Sequence, residues 1–209
     1  SICNYFCNQA STIICSMYLS LPETGTYSLG VQIASAIAQI SGALYNAYQP
    51  ELQGSYIRKD MCKTKKIMSV IVVTFIYLFL LGTAGVVLVG LPILKVIKPA
   101  SVVSTSILLG LCLYQFMLKF RNCYTSYFSC TNRIIYLKSF FISSVVCIIL
   151  SFILCGSMSM GIWGLIAAQI ISQVSFNVWY WPFKAHKEMG LSAVKLMKMG
   201  NAEVIKMLK

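Results

Sequence analysis

Long charge-free stretches alternate with short charged ones along this chain. Residues Ser1–Pro22, Thr24–Gln49, Ile67–Leu94, Pro99–Met117 and Ser139–Phe183 contain no Asp, Glu, Lys or Arg. A helix needs roughly 20 predominantly apolar residues to cross a hydrocarbon core. The first four stretches meet that length, and the last is 45 residues, enough for two crossings. Turn signals fall between and within them: Leu21-Pro22-Glu23-Thr24-Gly25, Gln49-Pro50-Glu51, Pro92, Pro99, Gly156-Ser157-Met158-Ser159 and Pro182. The pattern predicts an all-α membrane protein, a bundle of about six transmembrane helices. They fall at about 2–20, 26–48, 67–90, 101–129, 135–154 and 160–181, with a short connection over Leu91–Ala100. Residues 1–182 form this lobe, and 183–209 form a basic tail too charged to span.

Polar positions inside these helices are ordered. Ser28, Gln32, Ser35, Gln39, Gly42, Asn46 and Gln49 recur at alternating steps of 4 and 3, one continuous stripe down the second helix. Helix one carries Asn4, Asn8, Ser11 and Cys15, and helix six carries Gln169, Gln173 and Asn177. Amides are costly against lipid, so each stripe faces other helices or a wet cavity. Interhelical hydrogen bonding explains any one of them. Three such helices, one striped along its whole length, favour a hydrated pathway, and Gln32, Gln39 and Asn46 are expected to face it.

Helix four poses a sharper question. If it continues past Phe120, Gln115, Lys119, Asn122 and Ser126 share a face, with Arg121 about 200° from Lys119 at roughly 100° per residue. If it stops near Phe120, both cations are ordinary anchors on the cytoplasmic side. No Pro or Gly occurs between Leu111 and Arg133 to end it, so continuation is the expectation. Lys119 is then the leading cavity cation and Arg121 the second.

Composition agrees with the membrane reading: 58% of residues are hydrophobic and 11% charged, with a mean hydropathy of +0.77. A soluble domain carries about twice that charge. Fifteen of the 17 Lys and Arg lie in the loop between helices two and three, the region between four and five, and the tail. Only Lys95 and Lys98 lie on the other side, which assigns both ends of the segment to the cytoplasm. Trp179, Tyr180 and Trp181 stand where an aromatic belt is expected. The net charge of +12 is therefore a product of topology. It points to anionic lipid headgroups as neighbours and not to nucleic acid, since no aromatic stacking platform accompanies it.

Catalysis finds no footing. Glu23, Glu51, Asp60, Glu188 and Glu203 all fall in predicted loops or the tail, and the lone His186 is in the tail. No cofactor or metal motif is present. The nine cysteines are odd in number, lack a C-x-x-C pair and lie mostly in apolar runs, so they read as free thiols. A cavity with amides and cations but no acids suits an anionic or sugar-rich substrate.

The stretches Gly25-Thr-Tyr-Ser-Leu-Gly-Val-Gln-Ile-Ala-Ser35, Tyr45-Asn-Ala-Tyr-Gln-Pro50 with its basic loop, Ser129-Cys-Thr-Asn-Arg-Ile-Ile-Tyr136 and Met160-Gly-Ile-Trp-Gly-Leu-Ile-Ala-Ala-Gln169 resemble the polysaccharide transporter family. That family holds the O-antigen and capsule flippases, within the superfamily of the multidrug (MATE) exporters and the lipid II flippase. The resemblance implies a two-lobed parent of twelve helices in the bacterial inner membrane. This chain would be its C-terminal lobe, and a separate N-terminal lobe its partner. The parent would move an undecaprenyl-pyrophosphate-linked oligosaccharide by alternating access. The alternatives are a MATE-type cation-coupled exporter and a non-transporting membrane scaffold subunit.

Overall fold

The structure, a computed structural model, describes residues 2–97, 103–130 and 135–208, without the side chains of 2–9 and 208. Ten α-helices follow one another among the described residues: α1 Ile2–Tyr18, α2 Leu21–Ser41, α3 Ala43–Ile57, α4 Met61–Gly85, α5 Leu91–Ile97, α6 Thr105–Cys130, α7 Leu137–Phe152, α8 Gly161–Val174, α9 Asn177–Met189 and α10 Ala193–Leu208. Short π-turns over Val86–Gly90 and Ile153–Ser157 extend α4 and α7. No strand occurs among the described residues.

Three of these units are long and apolar enough to cross a membrane: Met61–Ile97, Leu137–Ser157 and Gly161–Met189. In the first two, only 33% and 28% of the most apolar window is buried. Leu80, Leu81 and Leu88 on one, and Phe141, Ile142 and Ile149 on the other, point outward. Apolar surface on that scale requires an apolar surrounding. Helices α2 and α6 fall outside this set.

Several predicted boundaries move, each for a local reason. Leu21-Pro22-Glu23-Thr24-Gly25 is not a loop but the first turn of α2. The Glu23 carboxylate accepts hydrogen bonds from the Ser20 N–H (3.0 Å) and hydroxyl (2.6 Å), and Pro22 tolerates a first turn because its missing N–H would have no helical partner. Nor does Pro50 end a helix. It lies inside α3, held by Leu52, which is fully buried, and by Ser55 Oγ, 3.0 Å from Thr64 Oγ1 on α4. Asp60 accepts from the Lys63 N–H and starts α4 at Met61, six residues before the predicted Ile67.

Leu91–Ile97 is likewise helical and not a connection. Pro92 would leave the carbonyl one turn before it unpaired and clash with it. The preceding π-turn absorbs this, with the Leu91 N–H donating to Val86 O. Gly156-Ser157-Met158-Ser159 does mark a turn, closed by Met158 N–H to Ile153 O and Met160 N–H to Leu154 O. The predicted sixth helix is broken at Ser175–Phe176, and α9 then runs through Pro182 into the predicted tail. The rest of the tail is α10, which lies along α4. A Cβ at Gly200 would stand 2.5 Å from Ser69 O, and Tyr77 Oη donates to Asn201 Oδ1 at 3.1 Å. Contact that close needs a glycine. Lys98–Val102 and Thr131–Ile134, which include Lys98, Pro99 and Arg133, lie outside the described residues.

Candidate functional site

Helix α6 is unbroken from Thr105 to Cys130, so Lys119 and Arg121 belong to one helix and face different ways. Their environments differ accordingly.

Lys119 is half-buried and lines a polar cavity of about 260 Å³ with Asn46, Asn122, Thr125, Ser129 and Tyr136. Among the described residues it has no hydrogen-bond or ion-pair partner. Its stem passes Gly42, where an added Cβ would lie 3.9 Å from Lys119 Cδ. Gly42 is also the step between α2 and α3. The predicted continuous stripe is thus carried by two helices, with Asn46 on the second. Gln32 and Gln39 on α2 and Asn46 on α3 are exposed on the outside of the bundle, and Asn46 is the one that reaches the cavity.

Arg121 is 1% exposed, its guanidinium enclosed by the protein. Nη1 donates to Gln173 Oε1 at 2.6 Å. Nε and Nη2 each lie 3.4 Å from Asn122 Oδ1, and the guanidinium sits 3.6 Å over the Phe140 ring. The seam continues from Gln173. Asn177 Nδ2 donates to Ser143 Oγ at 2.6 Å, and the Trp181 indole N–H donates to Asn177 Oδ1 at 3.1 Å. Trp181 is therefore a buried member of this network, whereas Trp179 is exposed.

The other amides divide in the same way. Gln169 donates to Tyr27 Oη at 2.9 Å and Ser11 Oγ at 3.2 Å, tying α8 to α2 and α1. Gln115 donates to Ser35 Oγ at 3.1 Å, joining α6 to α2. Gln169, Gln173 and Asn177 thus pack within this bundle and stay out of the wall of the Lys119 cavity. Asn4 and Asn8 lie on α1, but their side chains are outside the described residues.

Asn122 connects the two cations: it lines the Lys119 cavity and also accepts from Arg121. The cavity face of α6 proceeds through Thr125 and Ser129, while the expected Ser126 is buried and donates to Cys123 O. Thr125 and Ser129 continue the 3-and-4 spacing from Asn122 as well as Ser126 does, so the spacing alone offered both courses. Tyr45 and Tyr136 also line the cavity. Cys15, Cys112, Cys123, Cys147 and Cys155 are buried free thiols, and Cys62 and Cys130 are free as well.

The arrangement offers one ammonium in a polar recess and one guanidinium locked into the packing. It suits binding of an anion with hydroxyl-rich surroundings. In comparisons with protein-family models, curated proteins and solved structures, nothing matches the chain.

Proposed function

We propose that this chain is one six-span lobe of a flippase that carries an undecaprenyl-pyrophosphate-linked oligosaccharide across the bacterial inner membrane by alternating access. The observation that carries the reading is Lys119: a half-buried ammonium on a helix interior, facing a recess whose amides and hydroxyls are joined by Phe75, Cys123 and Phe140. An ammonium there is costly unless water or an anion meets it. Lysine acts as a point charge and grips phosphate without bidentate geometry, which suits a ligand that must leave again. Exposure of Gln32, Gln39 and Asn46 on the outer side of α2 and α3 supports a hydrated space between this lobe and its counterpart. Both ends of the segment are assigned to the cytoplasm by the distribution of Lys and Arg.

The deciding experiment is Lys119→Ala with Lys195→Ala as the charge control, scored for surface polysaccharide at matched protein levels. Loss with the first and not the second supports the reading; equal behaviour of the two rejects it. A second reading, a non-transporting membrane subunit, draws on the burial of Gln169, Gln173 and Asn177, whose hydrogen bonds serve packing. Under it Lys119→Ala is silent.

A further inference from the structure

A second cavity, of about 460 Å³, lies between the start of α7 and the body of α9. The two helices are tied by the Asn177–Ser143 hydrogen bond, and the cavity occupies the side of that bond nearer the α7 N-terminus. Lys138, Ser139 and Ile142 line it from α7, and Phe176, Tyr180 and Lys184 from the α9 side. Most of this lining is apolar, with two ammonium groups added to it. Lys184 Nζ is held 5.8 Å from the Tyr180 ring centroid and 5.7 Å from that of Trp181, a placement favoured by cation–π attraction.

Three further features point to an anion with an apolar body. Among the described residues no carboxylate lines the cavity; Glu188 lines the neighbouring recess, whose wall Tyr180, Lys184 and Lys187 share. Lys138 stands in the first turn of α7, where the positive end of the helix dipole disfavours a cation, and Tyr136 gives that turn no side-chain cap. An anion at this spot relieves both. Ile142 belongs to the cavity and also to the outward apolar face of α7, beside exposed Phe141 and Val145. The cavity is thus continuous with the surface that lipid would cover.

We propose that this cleft binds an anionic glycerophospholipid, its phosphate between Lys138 and Lys184 and an acyl chain along Ile142, Phe176 and Tyr180. Basic pockets between membrane helices recognise lipid headgroups in this manner. The inference rests on the membrane reading of the chain but not on transport. A free phosphate would leave the apolar wall unused, and a neutral lipid would leave the two lysines without an anion.

The test is native mass spectrometry of the full-length protein in detergent with added dioleoylphosphatidylglycerol or dioleoylphosphatidylcholine. Phosphatidylglycerol should be retained in preference to phosphatidylcholine and resist excess inorganic phosphate. Lys138→Ala with Lys184→Ala should lower its occupancy roughly tenfold or more, the scale of two lysines at a lipid surface. The paired arginine substitutions at these positions should retain it, which keeps the test valid if the alanine pair folds poorly. Ser139→Phe, which fills the cleft, should lower occupancy too, whereas Lys95→Ala with Lys195→Ala should not. Equal retention of the two lipids, insensitivity to the alanine pair, or displacement by phosphate alone overturns the proposal. Displacement by undecaprenyl phosphate would reassign the cleft to a lipid-linked substrate and equally overturn it. Lys119→Ala should leave phosphatidylglycerol binding intact, so the two sites succeed or fail separately.

Discussion

Two amide stripes with similar helical spacing meet opposite fates in this molecule. Gln169, Gln173 and Asn177, on α8 and α9, are between 0% and 3% exposed, and each has a partner on a neighbouring helix. Gln32, Gln39 and Asn46, on α2 and α3, are exposed, and Asn46 alone of the three reaches the Lys119 cavity. Residue type does not separate them, and both sets keep to one face of the helical period. What separates them is the facing helix. Tyr27, Arg121 and Ser143 stand opposite the buried stripe, while the exposed stripe faces out of the bundle. An amide stripe therefore means either adhesion between helices or a wetted wall, and only its neighbours say which.

The contrast breaks first, if it breaks, at Gln173. Replacing it with Leu removes an acceptor from a buried guanidinium, and hydrogen bonds to charged groups are worth about 1.5–3 kcal/mol. Gln173→Leu should therefore destabilise the protein by about 2–3 kcal/mol, read from thermal unfolding in detergent. Little change would mean that Arg121 is held by Asn122 and Phe140 without it.

A smaller loss is expected for Asn177→Ala, which cuts the links to Ser143 and Trp181. Interhelical hydrogen bonds in membranes average about 0.6 kcal/mol and reach about 1.7, so the loss should be near 1 kcal/mol by the same assay.

The exposed stripe should respond in the other way. Gln39→Leu should change stability by less than about 0.5 kcal/mol, as surface changes away from special features do. In a background freed of native cysteines, Gln39→Cys should react with a water-soluble maleimide and Gln173→Cys should not. Equal protection of both would abolish the distinction.

The smallest effect is expected where α2 begins. The Ser20 hydroxyl and then its backbone N–H hold the Glu23 carboxyl below its usual range. A carboxyl lowered by folding stabilises the fold above its unfolded pKa, and that contribution fades as pH falls through the folded pKa. Glu23→Gln should flatten this small acid dependence, measured as unfolding temperature between about pH 7 and about pH 3. An unchanged profile would show that the cap adds nothing.

How far the sequence is legible depends on the range of the signal. The Gly156–Ser159 turn is legible because its cause is local. Leu21–Gly25 and Pro50 mislead because a proline in the first turn of a helix resembles one in a loop, and because packing on α4 carries α3 beyond its own proline. For the candidate site, the face joining Lys119 to Asn122 is legible once α6 is taken as continuous. The contributions of Tyr45, Thr125, Ser129 and Tyr136 are not, since they depend on where α3 and the start of α7 come to rest against α6.

By itself the sequence determined the helical character and the long apolar runs, because each follows from the solvation cost of single side chains and the 3.6-residue period. The tertiary structure alone decided that Arg121 is locked in the core while Lys119 opens to a cavity. The two cations lie two residues apart on one helix, and their roles differ because Gln173 and the face of Phe140 enclose one of them and an open recess meets the other.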